Sequence, residues 1–173
     1  MRGSTLLLVL VLAVTARADL ASTLQRTLKR PDAGARVAGL QDARAELLGT
    51  DRRGRNKAAA TLSKALHREP DPRVRRAVFD FLLLLRTERA LDLLVAGVLD
   101  RNPAVAAHVH ALVRDHADPM LHDAIVRALG TDESWRFRAR LVDLLLSGAR
   151  EAAKAPLVDA LSDAHPAVRA HAA

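Results

Sequence analysis

The chain has 173 residues, half of them apolar, with 2% aromatics, no cysteine and a net charge of +7. The missing cysteines exclude a disulfide framework and any thiolate metal or redox site, and the apolar share is too high for a disordered polymer. Ala (34) and Leu (30) dominate, and Arg outnumbers Lys 23 to 4; these are good helix formers, while β-branched and aromatic strand formers are scarce, so an all-α chain is expected.

The first segment reads as an export signal. Met1–Thr5 carries Arg2 and leads into Leu6–Val14, nine apolar residues, then Thr15-Ala16-Arg17-Ala18 before Asp19. A basic start, an apolar run and a small-x-small end are the parts of a secretory signal peptide, with cleavage expected after Ala18. The run is shorter than the ~20 residues that span a bilayer, and no later segment predicts a membrane span. Losing Arg2 and Arg17 lowers the charge from +7 to +5. An exported, soluble, mildly basic product disfavours nucleic acid as a partner and favours anionic envelope polymers or an acidic protein face.

Beyond the signal, Leu20–Lys29 is expected as a leading helix. Ala33–Leu48 and Lys57–Arg68 follow as a first, divergent helix pair, joined by a long turn from Gly49 to Asn56. From there the sequence echoes itself. Pro72, Pro103, Trp135 and Pro166 are spaced 31, 32 and 31 residues apart, a period that marks a helical repeat. Asp71, Asn102 and Ser134 precede three of these markers as good N-cap residues, with His165 a poorer one before the fourth. Proline at the first helical position costs no hydrogen bond. After Pro72, the residues Val74, Ala77, Val78, Phe81, Leu82 and Leu85 form one amphipathic stripe. Further pairs follow: Pro72–Leu85 with Thr87–Leu99, Pro103–Arg114 with Pro119–Leu129, and Trp135–Leu146 with Glu151–Leu161. A partial unit closes the chain at residues 165–173. The expected architecture for 19–173 is an α-solenoid (α-α superhelix) of stacked helix pairs.

The segment Glu69–Leu82 resembles a HEAT-type repeat, in the short bacterial form also found in phycobilisome-lyase-like proteins. The pattern is an acid-Pro-Asp-Pro opening followed by x-Val-Arg-x-Ala, and its arginine recurs as Arg75, Arg138 and Arg169, with Arg36 in the first pair and Ala106 in its place once. The resemblance speaks to the fold and is almost silent on function. Because stacked helix pairs offer a curved face to extended or helical segments, an exported, non-catalytic scaffold for a protein partner, with no cofactor, is expected. The resemblance does not carry iron-oxygenase chemistry of the deoxyhypusine-hydroxylase type, because the chain has no His-Glu dyad. The last unit, without a polar cap, is expected to continue in a longer chain, to fray, or to self-associate with a second copy.

Catalytic signals are weak. There is no cysteine or tyrosine, no Gly-x-Ser-x-Gly, and the serines beyond the expected signal (Ser22, Ser63, Ser134, Ser147, Ser162) sit near helix ends or at exposed positions. His108, His110, His116 and His122 are close in sequence, but His108 and His110 lack the three- or four-residue spacing of helical ligands. A metal-handling or enzymatic corner at His108–His122 is the alternative to a scaffold. Two cationic features stand out as partner or anion sites. One is a flexible basic loop with Arg52, Arg53, Arg55 and Lys57 around Gly54. The other is a row formed by Ala77, His108, Arg140 and His171, which share one repeat position.

Overall fold

The structure, a computed structural model, describes residues 19–116, 118–130, 134–147 and 150–173. The export signal expected over 1–18 lies outside them, as do Ala117, between the expected helices Pro103–Arg114 and Pro119–Leu129, and Gly148, between Trp135–Leu146 and Glu151–Leu161. Ten helices lie within the described residues. They are α1 (Leu20–Leu28), α2 (Ala33–Asp42), α3 (Arg52–Arg68), α4 (Pro72–Leu85) and α5 (Glu88–Ala96). These are followed by α6 (Pro103–Arg114), α7 (Pro119–Leu129), α8 (Trp135–Ser147), α9 (Arg150–Ala160) and α10 (Pro166–Ala172). Short 3₁₀ turns, Ala43–Gly49 and Gly97–Leu99, extend α2 and α5.

Local chemistry sets the starts. The side chains of Asp71, Asn102 and Asp118 each accept a hydrogen bond from the amide two residues on, at 2.8, 3.0 and 2.9 Å, satisfying donors that a first helical turn leaves open. His165 does the same through Nδ1, which accepts from the Ala167 amide at 3.2 Å. α4 ends at Arg86 with φ of 49°, a left-handed cap more often filled by glycine.

One boundary corrects the sequence reading. The expected loop from Gly49 to Asn56 is largely helix: Asp51 caps α3 by accepting from the Gly54 amide at 2.7 Å, and the helix begins at Arg52. Asp51 followed by two arginines carries the same start signal as Asp71. Without a proline after it, and with Gly54 in the first turn, that signal reads as a loop.

The helices pack in two layers. The even-numbered helices stack on one another, α2 on α4, α4 on α6, α6 on α8 and α8 on α10. The odd-numbered helices form a second layer, α1 on α3, α3 on α5 and α5 on α7. Between them runs one apolar cluster that includes Leu20, Leu62, Phe81, Leu85, Leu94, Val109, Leu121 and Leu141. Each fully buried Leu or Phe contributes roughly 1.5–3 kcal/mol. A smaller cluster of Ala139, Val142, Ala160 and Val168 joins α8, α9 and α10. The fold is an all-α solenoid, and no described helix is long and apolar enough to cross a membrane.

Repeat register also governs volume. Phe79, buried, lies where a Cβ on Gly97 would stand. One period on, the same two positions are His110 and Ala128; two periods on they are Val142 and Ala160, which share the small cluster. A large residue is matched by glycine and a medium one by alanine, as close packing requires.

Candidate functional site

Two kinds of ion pair tie one helix pair to the next. The first uses the recurrent arginine, three residues after the marker, and the acid three residues before the next marker. Arg36 Nη2 meets Glu69 Oε1 at 3.0 Å. Arg75 grips Asp100 with two nitrogens and also donates to the carbonyls of Leu66 and Glu69. Arg138 holds Asp163 bidentately at 2.6 and 2.9 Å. The acids do double duty, since Asp100 and Asp163 also accept from the amides of Asn102 and His165. The Arg138 hydrogen bond is the main reason the Asp163 carboxyl titrates below its ordinary range.

The second tie runs through the row of Ala77, His108, Arg140 and His171. His108 Nε2 lies 2.7 Å from Asp80 Oδ1, and His171 Nδ1 lies 2.7 Å from Asp143 Oδ1. In both cases the partner is eight residues after the previous marker. The row is therefore not the free anion stripe expected from sequence: two of its three polar members are spent on the neighbouring unit. Arg140 has no hydrogen bond or ion pair to a described residue, because the matching position on α6 is Ala111.

The seam between α6–α7 and α8–α9 thus differs from its neighbours. Ala106 replaces the arginine, Ala111 replaces the aspartate, and His110 stands where the other units have Phe79 and Val142. Among the described residues no side-chain hydrogen bond or ion pair crosses this seam. His110 Nε2 is buried without a partner. Burial, and next the charge of Arg140, push the His110 imidazole below its usual pKa. A cavity of about 570 Å³ opens at the same seam. Val113, Leu121, Ile125, Leu144 and Leu145 wall it, with His116 and His122 among the polar residues lining it.

The histidines do not gather. His108 is turned to Asp80, and His116 Nδ1 donates to the Leu112 carbonyl at 2.7 Å, while His116 and His122 share only the lining of the cavity. No group of three His, Asp or Glu among the described residues is placed to hold a metal ion.

The basic cluster survives in altered form. Arg52, Arg53 and Lys57 are exposed on the first two turns of α3, and Arg89 of α5 joins them around an open groove of about 540 Å³. Arg55 leaves the set: its Nε donates to the Thr50 carbonyl at 3.0 Å and its Nη2 to that of Leu47 at 3.1 Å. On the even-helix layer a second groove, about 240 Å³, is lined by Arg44, Arg73, Arg76 and His108 together with Asp80. Arg73 is committed to Asp71, whose carboxyl its hydrogen bonds lower to about 2. Trp135 stacks on the His165 ring, centroids 4.3 Å apart and planes 1° from parallel.

Sequence reasoning found the arginines of these ties and missed their acids. The signal was present: acids recur at 69, 100, 132 and 163, and again at 80 and 143. Asp132 lies outside the described residues.

Tandem helix pairs tied through one recurrent arginine define a helical-repeat solenoid. Residues 39–113, from the end of α2 through almost all of α6, match the family model described as HEAT repeats, which supports a HEAT-type repeat protein. No curated protein matches the chain.

Proposed function

We propose that the chain is an exported, non-catalytic HEAT-repeat scaffold that holds a protein partner of acidic character. The observation that carries this reading is the state of its cations. Arginines facing the stack are consumed in ties between units, whereas Arg44, Arg76 and Arg140 on the even-helix layer are left without hydrogen bond or ion pair to a described residue. An elongated stack bearing outward guanidinium groups suits recognition of carboxylates along an extended or helical segment. The His108–His122 corner, with its histidines dispersed, gives less support to metal handling.

Photo-crosslinkers at Arg76 and Arg140 in the exported fraction test this reading. One protein, captured stoichiometrically from both positions and lost at raised salt, is the expected result. Stoichiometric metal in the purified chain with no crosslinked protein overturns it. For export itself, the expected amino terminus of the purified product is Asp19, read by terminal sequencing.

Arg89 favours a second reading, binding of an anionic polymer on the odd-helix layer. Together with Arg52, Arg53 and Lys57 it makes a four-cation groove from two helices. Retention on a polyphosphate matrix that fails when these four become glutamine supports that use.

A further inference from the structure

The seam between α6–α7 and α8–α9 lacks one carboxylate that both flanking seams possess. At the seam before it, Asp80 receives His108 at 2.7 Å; at the seam after it, Asp143 receives His171 at 2.7 Å. The geometry is repeated, so the position eight residues after a marker is a carboxylate seat for the cation five residues after the next marker. At the middle seam the cation is Arg140, the strongest and most permanent donor of the three. Its seat is Ala111, whose methyl group offers no acceptor.

We infer that this seat is filled in trans: an Asp or Glu side chain of the protein partner docks over Ala111 and is bound by Arg140. The inference rests on the scaffold reading above and names the contact through which it acts. Arg140 is exposed and Ala111 half-exposed, so an acidic side chain reaches them from solvent. Arg136 and Arg114, also exposed on the same two helices, add positive field, although Arg114 is paired with Asp115 at 2.8 Å. Asp143 opposes it, but its carboxylate is engaged by His171. His110 lies within reach of the Arg140 charge, which contributes to its depressed pKa. Neutralising Arg140 with a bound carboxylate relieves part of that effect, so the His110 ring reports occupancy of the seat.

The probe is a capped hexaglutamate peptide, with hexaglutamine as the neutral control and short-chain polyphosphate as a non-protein anion. Ring signals of His110 are followed by NMR in the intact chain. Hexaglutamate is expected to shift the His110 signals saturably and raise its midpoint of titration, while hexaglutamine does neither. Ala111→Asp, which supplies the carboxylate in cis, and Arg140→Gln, an exposed change that leaves the circular dichroism unaltered, should each weaken hexaglutamate binding by about tenfold or more. Binding that leaves His110 unmoved and is equal in both variants overturns the seat while leaving the scaffold reading intact. Polyphosphate binding as tight as hexaglutamate, with the same dependence on Arg140, overturns the assignment to an acidic protein side chain. No binding of hexaglutamate also overturns the seat; the crosslinking experiment then decides the scaffold reading by itself.

Discussion

The seam between α4–α5 and α6–α7 and the seam that follows it are built on the same register, yet they are held differently. The first has Arg75 clamped to Asp100, His108 against Asp80, and Phe79 filling the space left by Gly97. Arg86 to Asp118 at 2.9 Å and Arg127 to Asp92 at 2.7 Å brace its outer edges. The second has Ala106, Ala111 and His110 at the corresponding places, with an unpartnered imidazole nitrogen and a cavity. In a stack where each unit touches only its neighbours, stability is a sum over seams. A departure at one seam therefore weakens that joint without reaching the joints beyond it.

The largest effect is expected from removing the clamp. The Arg75 side chain is 9% exposed and that of Asp100 1%, so Arg75→Ala leaves a buried carboxylate without its partner. A loss of about 3–5 kcal/mol is expected, read from urea unfolding of the purified chain; a loss below about 1 kcal/mol would show that the tie is ornamental and the two seams equivalent.

Next comes volume. Gly97→Ala drives a methyl group into the Phe79 ring and should cost about 1–3 kcal/mol, whereas the register-related position in the next unit already carries Ala128. Thermal melting of Gly97→Ala against Gly97→Ala/Phe79→Val checks the cause, since the double variant copies the Val142–Ala160 arrangement and should recover most of the loss.

The opposite sign is expected at the weaker seam. His110→Val replaces a half-buried imidazole with the residue used at Val142, and removal of its buried, unsatisfied Nε2 should raise stability by about 1 kcal/mol. It should also flatten the pH dependence. The folded state holds His110 below its usual pKa, so wild type is at its full stability above about pH 6.5 and loses it as pH falls through the lowered folded value. An unchanged slope in His110→Val would assign that dependence to other histidines.

The smallest effect concerns the last seam. Asp163 is held below its ordinary range by Arg138. Its contribution is full above the usual carboxylate pKa and is lost as pH falls through the lowered folded value. Unfolding midpoints between about pH 5 and about pH 2 should fall less steeply in Arg138→Gln than in wild type.

How much of this could be seen in the sequence depends on range. The N-caps Asp71 and Asn102, the prolines behind them and the apolar stripe from Val74 to Leu85 are local, and the sequence carries them openly. Arg75 and Arg138 stood out because they recur. Their acids sit 25 residues downstream, beyond any local pattern, and gain meaning only when successive units are stacked. The row through His108, Arg140 and His171 was visible as a register, but its use was not. Only the positions eight residues after each marker distinguish a spent histidine from a free arginine. Arg55 shows the converse: a residue read as part of a mobile cationic loop is fixed by carbonyls of the preceding turn once Asp51 starts a helix.

Trp135 takes the place of a proline and stacks on His165, and it is the sole tryptophan of a chain without tyrosine. Its emission is therefore an optical signal from one joint, the one between α8 and α10, while circular dichroism in the far ultraviolet averages over every helix. If the joint at Ala106 and Ala111 is the place where cooperativity breaks, the two signals will not melt together. The gap between their midpoints measures, without any substitution, how far the two ends of the stack behave as separate thermodynamic bodies.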